Sequence, residues 1–192
     1  MMRQLQPGTG IAPSKDGAML AGLRQRPVAE VMTRSLVTVT LKTQVADAAW
    51  TCEDERIHHL LVLAPDGGLA GVTCLYDLRE ADAERTVESC MTTPVVCVGP
   101  DATLQTALEI MRLRGIGCLP IVRGGRLLGI VTRGDLRKAG MPAEEVARMV
   151  CSACGSHHHV RAHPRMDGVA MCHLCLDRAQ PPDPWEDVGV GD

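Results

Sequence analysis

Four cysteines in the last quarter of the chain have the spacing of metal ligands. Two residues separate Cys151 from Cys154, two separate Cys172 from Cys175, and seventeen lie between the pairs. Two intervening residues allow a tight turn to direct both thiolates at one ion, and two such turns complete a tetrahedral site. The segment is too short for a hydrophobic core, so a bound metal would supply most of its folding free energy. The spacing therefore predicts a structural Zn²⁺ site.

Other chemistry is compatible with the same cysteines. Four thiolates also bind iron in a rubredoxin-like site, which would make the chain an electron carrier, and two disulfides or unligated thiols are further alternatives. The stretch 151–179 resembles a zinc ribbon, and this resemblance favours zinc. Five histidines in or beside the loop are alternative ligands, although exposed loop positions are the more common role for such residues: His157, His158, His159, His163 and His173.

A second candidate site rests on a phrase that occurs twice, "LAGVTCLYDL" at 69–78 and "LLGIVTRGDL" at 127–136. In the later copy, a strand gives way to a helix at Thr132, Arg133 and Asp135. The start of a helix, a threonine hydroxyl and a guanidinium favour a phosphate, and a carboxylate accepts hydrogen bonds from two ribose hydroxyls. Thr132 and Asp135 also have the spacing of a capping box, which is a purely structural role. The two interpretations are compatible.

The two copies belong to a longer internal repeat. Met32-Thr33 matches Met91-Thr92, and the offset of 59 residues becomes 58 after a turn that is one residue shorter in the second copy. Units of about 60 residues are too long for a solenoid repeat and suit a small paired domain. Each unit alone has a small core, so we expect the two to pack face to face.

Hydrophobic periodicity predicts a strand and then a helix at the start of each unit. The strands are expected at 36–39 and 95–98, and the helices are expected to be capped by Thr43 and Asp101. Gly115 suits the end of the second helix. The predicted core faces consist of Val45, Ala48, Ala49 and Cys52 in the first helix and of Leu104, Ala107, Leu108 and Met111 in the second.

A hairpin and a short helix complete each unit. Two apolar strands flank the turn "PDGG" (65–68) or "RGG" (123–125), and the last helix starts near Asp77 or Asp135. The order is therefore β-α-β-β-α, twice. We predict an α+β fold in which two such units form a pseudo-two-fold pair, followed by a small zinc ribbon.

Two tandem units of this length, each closing on Gly-apolar-x-Thr-x-x-Asp-Leu, resemble a pair of CBS domains over residues 27–139. The resemblance implies an adenosine-containing ligand, such as AMP, ADP, ATP or an S-adenosyl compound, in the cleft between the units. It also implies a homodimer. By it, Thr132 would contact the phosphate and Asp135 the ribose. The adenine would lie against Val95 and the stretch "GIGCLP", which includes Ile116, Gly117 and Cys118.

The first copy departs from this pattern. Cys74 is a weak hydrogen-bond donor in place of threonine, and Leu75 replaces the cation. Asp77 is retained, which keeps the implied ribose contact but not the phosphate contact. We interpret His58 and His59 as exposed or core-edge residues. The two clefts are therefore expected to be unequal.

The overall composition narrows the classes of function. The chain has 192 residues and a formal net charge of −3, which gives no general reason to expect a nucleic-acid or membrane partner. Two tryptophans, one tyrosine and no phenylalanine make recognition by base stacking unfavourable. No apolar run approaches the roughly 20 residues of a membrane span, and the N-terminus lacks a secretory signal, so we expect a cytoplasmic protein.

Six segments are expected along the chain. Both ends have the composition of disordered tails, and Met19 is an alternative start to Met1. The expected boundaries are 1–25 for a disordered tail, 26–81 and 82–140 for the two CBS units, 141–150 for a connecting helix, 151–179 for the zinc ribbon and 180–192 for a second tail.

These patterns predict a regulatory protein and not an enzyme, because no nucleophile–base pair or open catalytic metal position is recognisable. The CBS pair would sense the adenosine-containing ligand, and the zinc ribbon would be the output or a docking surface for a protein partner. One alternative is a nucleic-acid- or transcription-associated ribbon protein whose paired units serve dimerisation, which Arg161 and Arg165 weakly favour. The other is the iron-containing electron carrier.

Overall fold

Two α+β units pack against each other, and a small cysteine-containing segment follows them. The structure is a computed structural model that describes residues 15–147, 151–153, 160–162, 169–172 and 175–176. The described chain begins with α1 (Lys15–Gln25). Within these residues, no helix combines the length and apolarity that crossing a bilayer requires. The predicted α+β class and the internal repeat are confirmed.

The first unit is a three-stranded sheet with two helices. β1 (Thr38–Thr40) lies parallel to β2 (His59–Leu63), which pairs antiparallel with β3 (Leu69–Cys74). α2 (Val45–Asp54) connects β1 to β2, and α3 (Leu75–Glu80) follows β3 directly. The helical periodicity predicted the face of α2 that lies in the core, which consists of Val45, Ala48 and Cys52 with Ala49 at its edge.

The second unit repeats the helices and the hairpin. α4 (Leu104–Arg114) precedes β4 (Cys118–Arg123), which forms an antiparallel hairpin with β5 (Arg126–Thr132), and α5 (Arg133–Lys138) follows. The strand expected at the start of this unit is reduced to a parallel bridge at Val98. The predicted core face of α4 is confirmed, since all four of its residues are fully buried: Leu104, Ala107, Leu108 and Met111.

The start of α4 differs from the prediction, whereas its end agrees with it. Thr103 is the N-cap, and its Oγ1 accepts a hydrogen bond from the Thr106 N–H at 3.1 Å. Asp101 lies two residues too early and instead pairs with Arg123 at the end of β4. Gly115 ends the helix in the left-handed conformation, with φ of 65°, as its lack of a Cβ suggested.

The start of α2 also differs from the prediction by one residue. Gln44 is the N-cap, and its side chain forms no capping hydrogen bond. The Thr43 hydroxyl is used to close the preceding turn, because its Oγ1 accepts a hydrogen bond from the Thr40 N–H at 3.1 Å. The first strand lies at the same turn and begins two residues later than the predicted range of 36–39.

Each unit is completed by the segment that precedes the first strand of the other. Thr33 forms an antiparallel bridge with Ile130 in β5, with N···O distances of 2.9 and 3.0 Å. Reciprocally, Thr92 pairs with Val72 in β3, at 2.7 and 3.2 Å. We call this arrangement the reciprocal exchange, because the two segments change places between the units.

The hydrophobic cores follow the reciprocal exchange and not the order of the repeats. Val28 lies in the core that contains α4, whereas Val87 lies in the core that contains α2, and both are fully buried. The boundaries expected from the repeat, 26–81 and 82–140, therefore cut across both cores. The sequence repeat does not reveal this exchange, because the sequence of a segment is the same whether the segment completes its own unit or the other one.

The glycine in each closing motif permits this exchange. A Cβ at Gly129 would lie 2.7 Å from Met32 Sδ and 2.9 Å from the carbonyl oxygen of Thr33, closer than atoms pack in proteins. Gly71 faces Met91 in the same way. The repeated glycine of each unit thus contacts the Met-Thr segment of the other copy, and this contact occurs once in each unit.

The residues 15–25, expected as part of a disordered tail, form α1. Leu23 packs against the core of the second unit, and Arg24 pairs with Glu145 of α6 (Ala143–Ala147). Glu145 lies 121 residues from Arg24 in sequence, which is why local composition did not predict the helix.

The end of the described chain contains one small hairpin. β6 (Arg161–Ala162) pairs antiparallel with β7 (Ala170–Met171). The predicted tails at 1–14 and 180–192 lie outside the described residues. The connecting helix expected at 141–150 corresponds to α6 as far as it is described.

Candidate functional site

A cavity of about 400 Å³ opens between the two units at the carboxyl end of β5. This volume falls within the usual range for small-molecule sites, about 300–1,000 Å³. Both units contribute walls, so neither unit forms the cavity alone. The second unit contributes Gly117, Ile130, Thr132, Arg133, Gly134, Asp135, Arg137, Lys138 and Val146.

Thr132 and Asp135 form the predicted capping box at the start of α5. The Thr132 N–H and hydroxyl donate to Asp135 Oδ2 at 2.8 and 2.7 Å, and the Asp135 N–H donates to Thr132 Oγ1 at 3.4 Å. The other carboxylate oxygen, Oδ1, makes no hydrogen bond with any described residue. The structural role is therefore real, and it leaves one acceptor of Asp135 available at the cavity.

Arg133 places a buried positive charge in the cavity wall. The residue is only 6% exposed, and its backbone N–H donates to the carbonyl of Gly117 at 3.3 Å. Burial, followed by the neighbouring Arg137, lowers the pKa of the Arg133 guanidinium to about 10, so it remains charged at neutral pH. Gly117 has no room for a side chain, since a Cβ would lie 2.9 Å from both Arg133 Nη2 and His59 Nε2.

The opposite wall comes from the first unit and was not predicted from the sequence. The exchanged segment contributes Thr33 and residues 35–37, and the turn before β2 contributes Arg56 and Ile57 with the two histidines, His58 and His59. These histidines had been interpreted as core-edge or exposed residues, and they line the cavity that contains Thr132. One sequence signal was available: Arg56 occupies the position that is Gly115 in the second copy.

Val95, Ile116 and Cys118 do not line the cavity that contains Thr132. The resemblance to CBS domains implied that they would lie against the adenine. The reciprocal exchange brings the segment at 33–37 to Thr132 instead, and the position of Cys118 in the cavity is taken by His59. Burial raises the pKa of Cys118 to about 12, so it is a neutral thiol.

Asp77 belongs to the equivalent position in the first unit and does not line this cavity. Cys74 caps α3, and its Sγ accepts a hydrogen bond from the Asp77 N–H at 3.5 Å. Burial, followed by the charge of Asp77, raises the pKa of the Cys74 thiol. The Leu75 N–H donates to the carbonyl of His58 at 3.0 Å, in the same way that Arg133 contacts Gly117, so the two helix starts are equivalent in structure.

Three of the four predicted metal ligands lie together. The sulfur atoms of Cys151, Cys172 and Cys175 all lie within 4.8 Å of one another. Tetrahedral thiolates about 2.3 Å from zinc are separated by roughly 3.8 Å, so this group fits a metal ion after small adjustments. The Ser152 N–H donates to the carbonyl of Ala170 at 2.7 Å, which holds the first pair beside the second. Cys154 lies outside the described residues.

Relatives of this chain cover the same region. A 17.7 kDa protein of Acidianus ambivalens, described as uncharacterized, is 31% identical in an alignment of 144 residues that covers 67% of this chain and 88% of the relative. Inosine-5′-monophosphate dehydrogenase of Methanocaldococcus jannaschii is 32% identical in an alignment of 153 residues that covers 74% of this chain. The chain spans only 31% of the length of that enzyme.

Solved structures of similar fold include two with adenosine compounds. CBSX2 in complex with AMP is 26% identical, with a TM-score of 0.54 over 60% of this chain and 96% of that one. The CBS domain pair of protein MJ0100, in complex with 5′-methylthioadenosine and S-adenosyl-L-methionine, is 25% identical, with a TM-score of 0.56 over 59% of this chain and 98% of that one.

The sequence profile of the CBS domain matches the chain twice, over residues 28–84 and 87–148. The two matches follow the repeat found in the sequence, and together they cover more than half of the chain. The tandem β-α-β-β-α units, their closing motifs and the shared cavity are consistent with these matches. The chain therefore belongs to the CBS-domain family and contains a tandem pair of CBS domains.

Proposed function

We propose that this chain is a regulatory module that binds an adenosine-containing ligand in the cavity between its two CBS units. The observation that carries the proposal is the buried guanidinium of Arg133 in the wall of a cavity of about 400 Å³, beside the carboxylate of Asp135. A guanidinium that lines a cavity donates charge-assisted hydrogen bonds to phosphate oxygens, and partial burial strengthens such bonds. Complexes of CBSX2 with AMP and of MJ0100 with adenosyl compounds support the choice of adenosine.

Each part of such a ligand has a matching surface. Asp135 accepts hydrogen bonds from the ribose hydroxyls through Oδ1, while Oδ2 remains in the capping box. Arg133 contacts the phosphate. The adenine lies against apolar side chains of both units, namely Leu36, Val37, Ile57, Leu61 and Ile130.

The proposed role is regulatory because the CBS pair makes up most of the chain. Its cavity groups bind and orient a ligand, and ligand contacts from both units would change how the units are held together. Such a change would reach α6, since Val146 of this helix lines the cavity and is buried in the second core. The cysteine segment follows α6 directly, so we propose that it is the output or the docking surface for a protein partner.

The ligand proposal is tested by thermal unfolding with AMP, ADP, ATP, S-adenosylmethionine and NAD. A ligand at 100 times its dissociation constant stabilises by about 2.7 kcal/mol, which raises Tm by several degrees. We expect Asp135→Ala to lose this ligand-induced shift, measured against its own ligand-free Tm. Asp77→Ala removes the equivalent residue of the first unit and should keep the shift. No shift with any adenosine compound would reject the proposal.

We also propose that Cys151, Cys154, Cys172 and Cys175 hold a structural Zn²⁺ ion. The support is the convergence of the three described sulfurs. Zinc would supply a tetrahedral link that fixes the two chain segments. Elemental analysis of the purified protein should give one zinc per chain, lost in Cys172→Ser. Iron with visible absorption would instead favour the electron carrier, and a metal-free protein that unfolds at the same temperature would contradict a structural role.

A homodimer is the proposed assembly. Two large apolar side chains are exposed on equivalent helices, Trp50 on α2 at 65% and Leu113 on α4 at 84%. Covering them would remove apolar surface from water. Light scattering should give twice the chain mass, reduced to the chain mass in the double variant Trp50→Glu, Leu113→Glu. A wild-type monomer would contradict the proposal.

A further inference from the structure

The cavity is strongly basic for a chain with a net negative charge. Four permanent cations line it, with the two histidines His58 and His59, against a single carboxylate, that of Asp135. The cations come from both units: Arg56 from the turn after α2, and Arg133, Arg137 and Lys138 from α5.

The equivalent positions of the first-unit cleft have the opposite balance. With offsets of 59 and 58 residues, Arg56 corresponds to Gly115, Arg133 to Leu75 and Lys138 to Glu80. The two histidines correspond to Gly117 and Cys118, and only Arg137 keeps a cation, as Arg79. That cleft therefore has one cation against two carboxylates, those of Asp77 and Glu80. The two clefts thus differ in residue type at nearly every one of these positions, and the positive charge is concentrated in the cavity that contains Thr132.

Arg56 is held in an unfavourable backbone conformation at the cavity. Its φ is 53°, a left-handed value that a residue with a Cβ adopts at a cost in free energy. The equivalent Gly115 has φ of 65° and no such cost. Both residues end their helices in the same way. The backbone N–H of the residue that follows donates to a carbonyl in the last turn of the helix, at 2.9 Å in the first unit and 3.0 Å in the second. Glycine would fit better at 56, so the arginine points to a role for its side chain.

The exposed cations have no counter-ion within the described residues. Arg56, Arg137 and Lys138 form none of the ion pairs in that part of the chain. The equivalent of Arg137 in the first unit, Arg79, does pair, with Glu53 at 2.8 Å. Like charges kept close together without compensation repel one another, and an anion between them removes that repulsion.

The cations outnumber the charges of one phosphate. A single phosphate group carries about −1.5 to −2 charges at neutral pH, whereas four permanent cations line the cavity. One phosphate bound by the buried Arg133 would therefore leave part of this positive charge without compensation. A chain of two or three phosphates would compensate more of it.

We infer that the ligand of this cavity is a nucleoside di- or triphosphate, bound once per chain, and that sulfonium compounds such as S-adenosylmethionine are disfavoured. The inference rests on the proposed function and specifies the charge class of the ligand. In it, Arg133 binds the first phosphate, and Arg56, Arg137 and Lys138 bind the phosphates that follow. The first-unit cleft, with its acidic balance, does not bind the same ligand.

Isothermal titration calorimetry without divalent cations tests this directly, with adenosine, AMP, ADP, ATP and S-adenosylmethionine. We expect affinity to rise with each added phosphate, with one site per chain and with S-adenosylmethionine weaker than AMP. Raising the salt concentration should weaken ATP binding more than adenosine binding, because charge is screened. Arg137→Gln and Lys138→Gln should each lower ATP affinity by about three- to tenfold and leave adenosine affinity unchanged.

Arg56→Gly and a control variant complete the design. Arg56→Gly should also weaken ATP binding, although it removes the unfavourable conformation, which separates a binding role from a structural one. Arg112→Gln removes an exposed cation of α4 that does not line the cavity, and it should change no affinity.

The outcomes separate the inference from the proposed function. Binding of adenosine or S-adenosylmethionine at least as tight as that of ADP would overturn the inference and leave the adenosine site standing. Two equivalent ATP sites per chain would overturn the single-cleft assignment. If no adenosine compound binds, the proposed function fails and the inference fails with it.

Discussion

Thr132 and Asp135 have two roles because a carboxylate has two oxygens. Oδ2 accepts hydrogen bonds from the N–H and the hydroxyl of Thr132, and it thereby fixes the rotamer of Asp135. Oδ1 makes no hydrogen bond with the described residues, and it belongs to the side chain of a residue that lines the cavity. At the scale of single residues, the capping hydrogen bonds therefore orient Asp135 for the proposed ribose contact and do not compete with that contact.

The first prediction concerns the glycine of the closing motif. Gly129→Ala should lower the free energy of unfolding by about 1–3 kcal/mol, because the new methyl group would overlap Met32 and the backbone at Thr33. Urea denaturation measures this change. Gly99→Ala is the matched control, since a Cβ there meets nothing within 4 Å.

The control should be neutral, or stabilising by up to about 1 kcal/mol, because alanine restricts the unfolded chain. Equal stability of Gly129→Ala and the wild type would mean that the exchanged segment moves away easily. The contact between the units would then be looser than the distances to Met32 indicate.

The helices and hairpins were predictable where the signal is local. The apolar face of α4, its end at Gly115 and the turns of both hairpins follow from spacing within a few residues. The predicted N-caps were wrong by one position in α2 and by two in α4. Asp101 and Thr103 both suit the cap of α4 by residue type, and the structure has Thr103 in the cap and Asp101 paired with Arg123.

The second prediction concerns the ends of the two long helices. Arg56→Gly should raise the free energy of unfolding by about 0.5–1 kcal/mol, the relief of the left-handed conformation less the extra freedom of glycine in the unfolded chain. Gly115→Ala should lower it by about 1 kcal/mol. Thermal or urea unfolding of the ligand-free protein measures both.

If Arg56→Gly were destabilising, the side chain of Arg56 would hold the fold together, and its proposed role at the phosphates would lose its main support. If both variants matched the wild type, the two helix ends would tolerate any residue. Opposite signs for the two substitutions are the expected result.

The cavity could not be assembled from the sequence, because it depends on the reciprocal exchange. Residues 33–37 and the turn at Arg56 lie far from Thr132 in sequence, and the two copies of the repeat look alike whichever segment completes which unit. The motif at Thr132 lines the cavity, and its use as a binding site stays a prediction. Val95 was assigned to the same site, whereas its equivalent in the first copy, Leu36, lines this cavity.

The third prediction concerns the whole pair. A fragment of residues 37–92 contains the complete first core, including Val87 and the partner of Val72, whereas a fragment of residues 26–81 lacks both. We expect the first fragment to unfold cooperatively in urea and the second to show no folded baseline. The two fragments are of equal length, which makes each the control of the other. Equal stability would show that the core at Val87 contributes little.

The exchange also bears on ancestry. A copy that begins with its own Met-Thr segment, as residues 26–81 do, cannot complete its own sheet. An ancestor of that form, as a separate chain, would have needed a second copy, with two identical clefts related by symmetry. Joining the copies in one gene released that constraint, because a substitution then alters one cleft without altering the other. Arg56 differs from its equivalent, Gly115, and Lys138 differs from its equivalent, Glu80. Two identical copies could not have contained these differences.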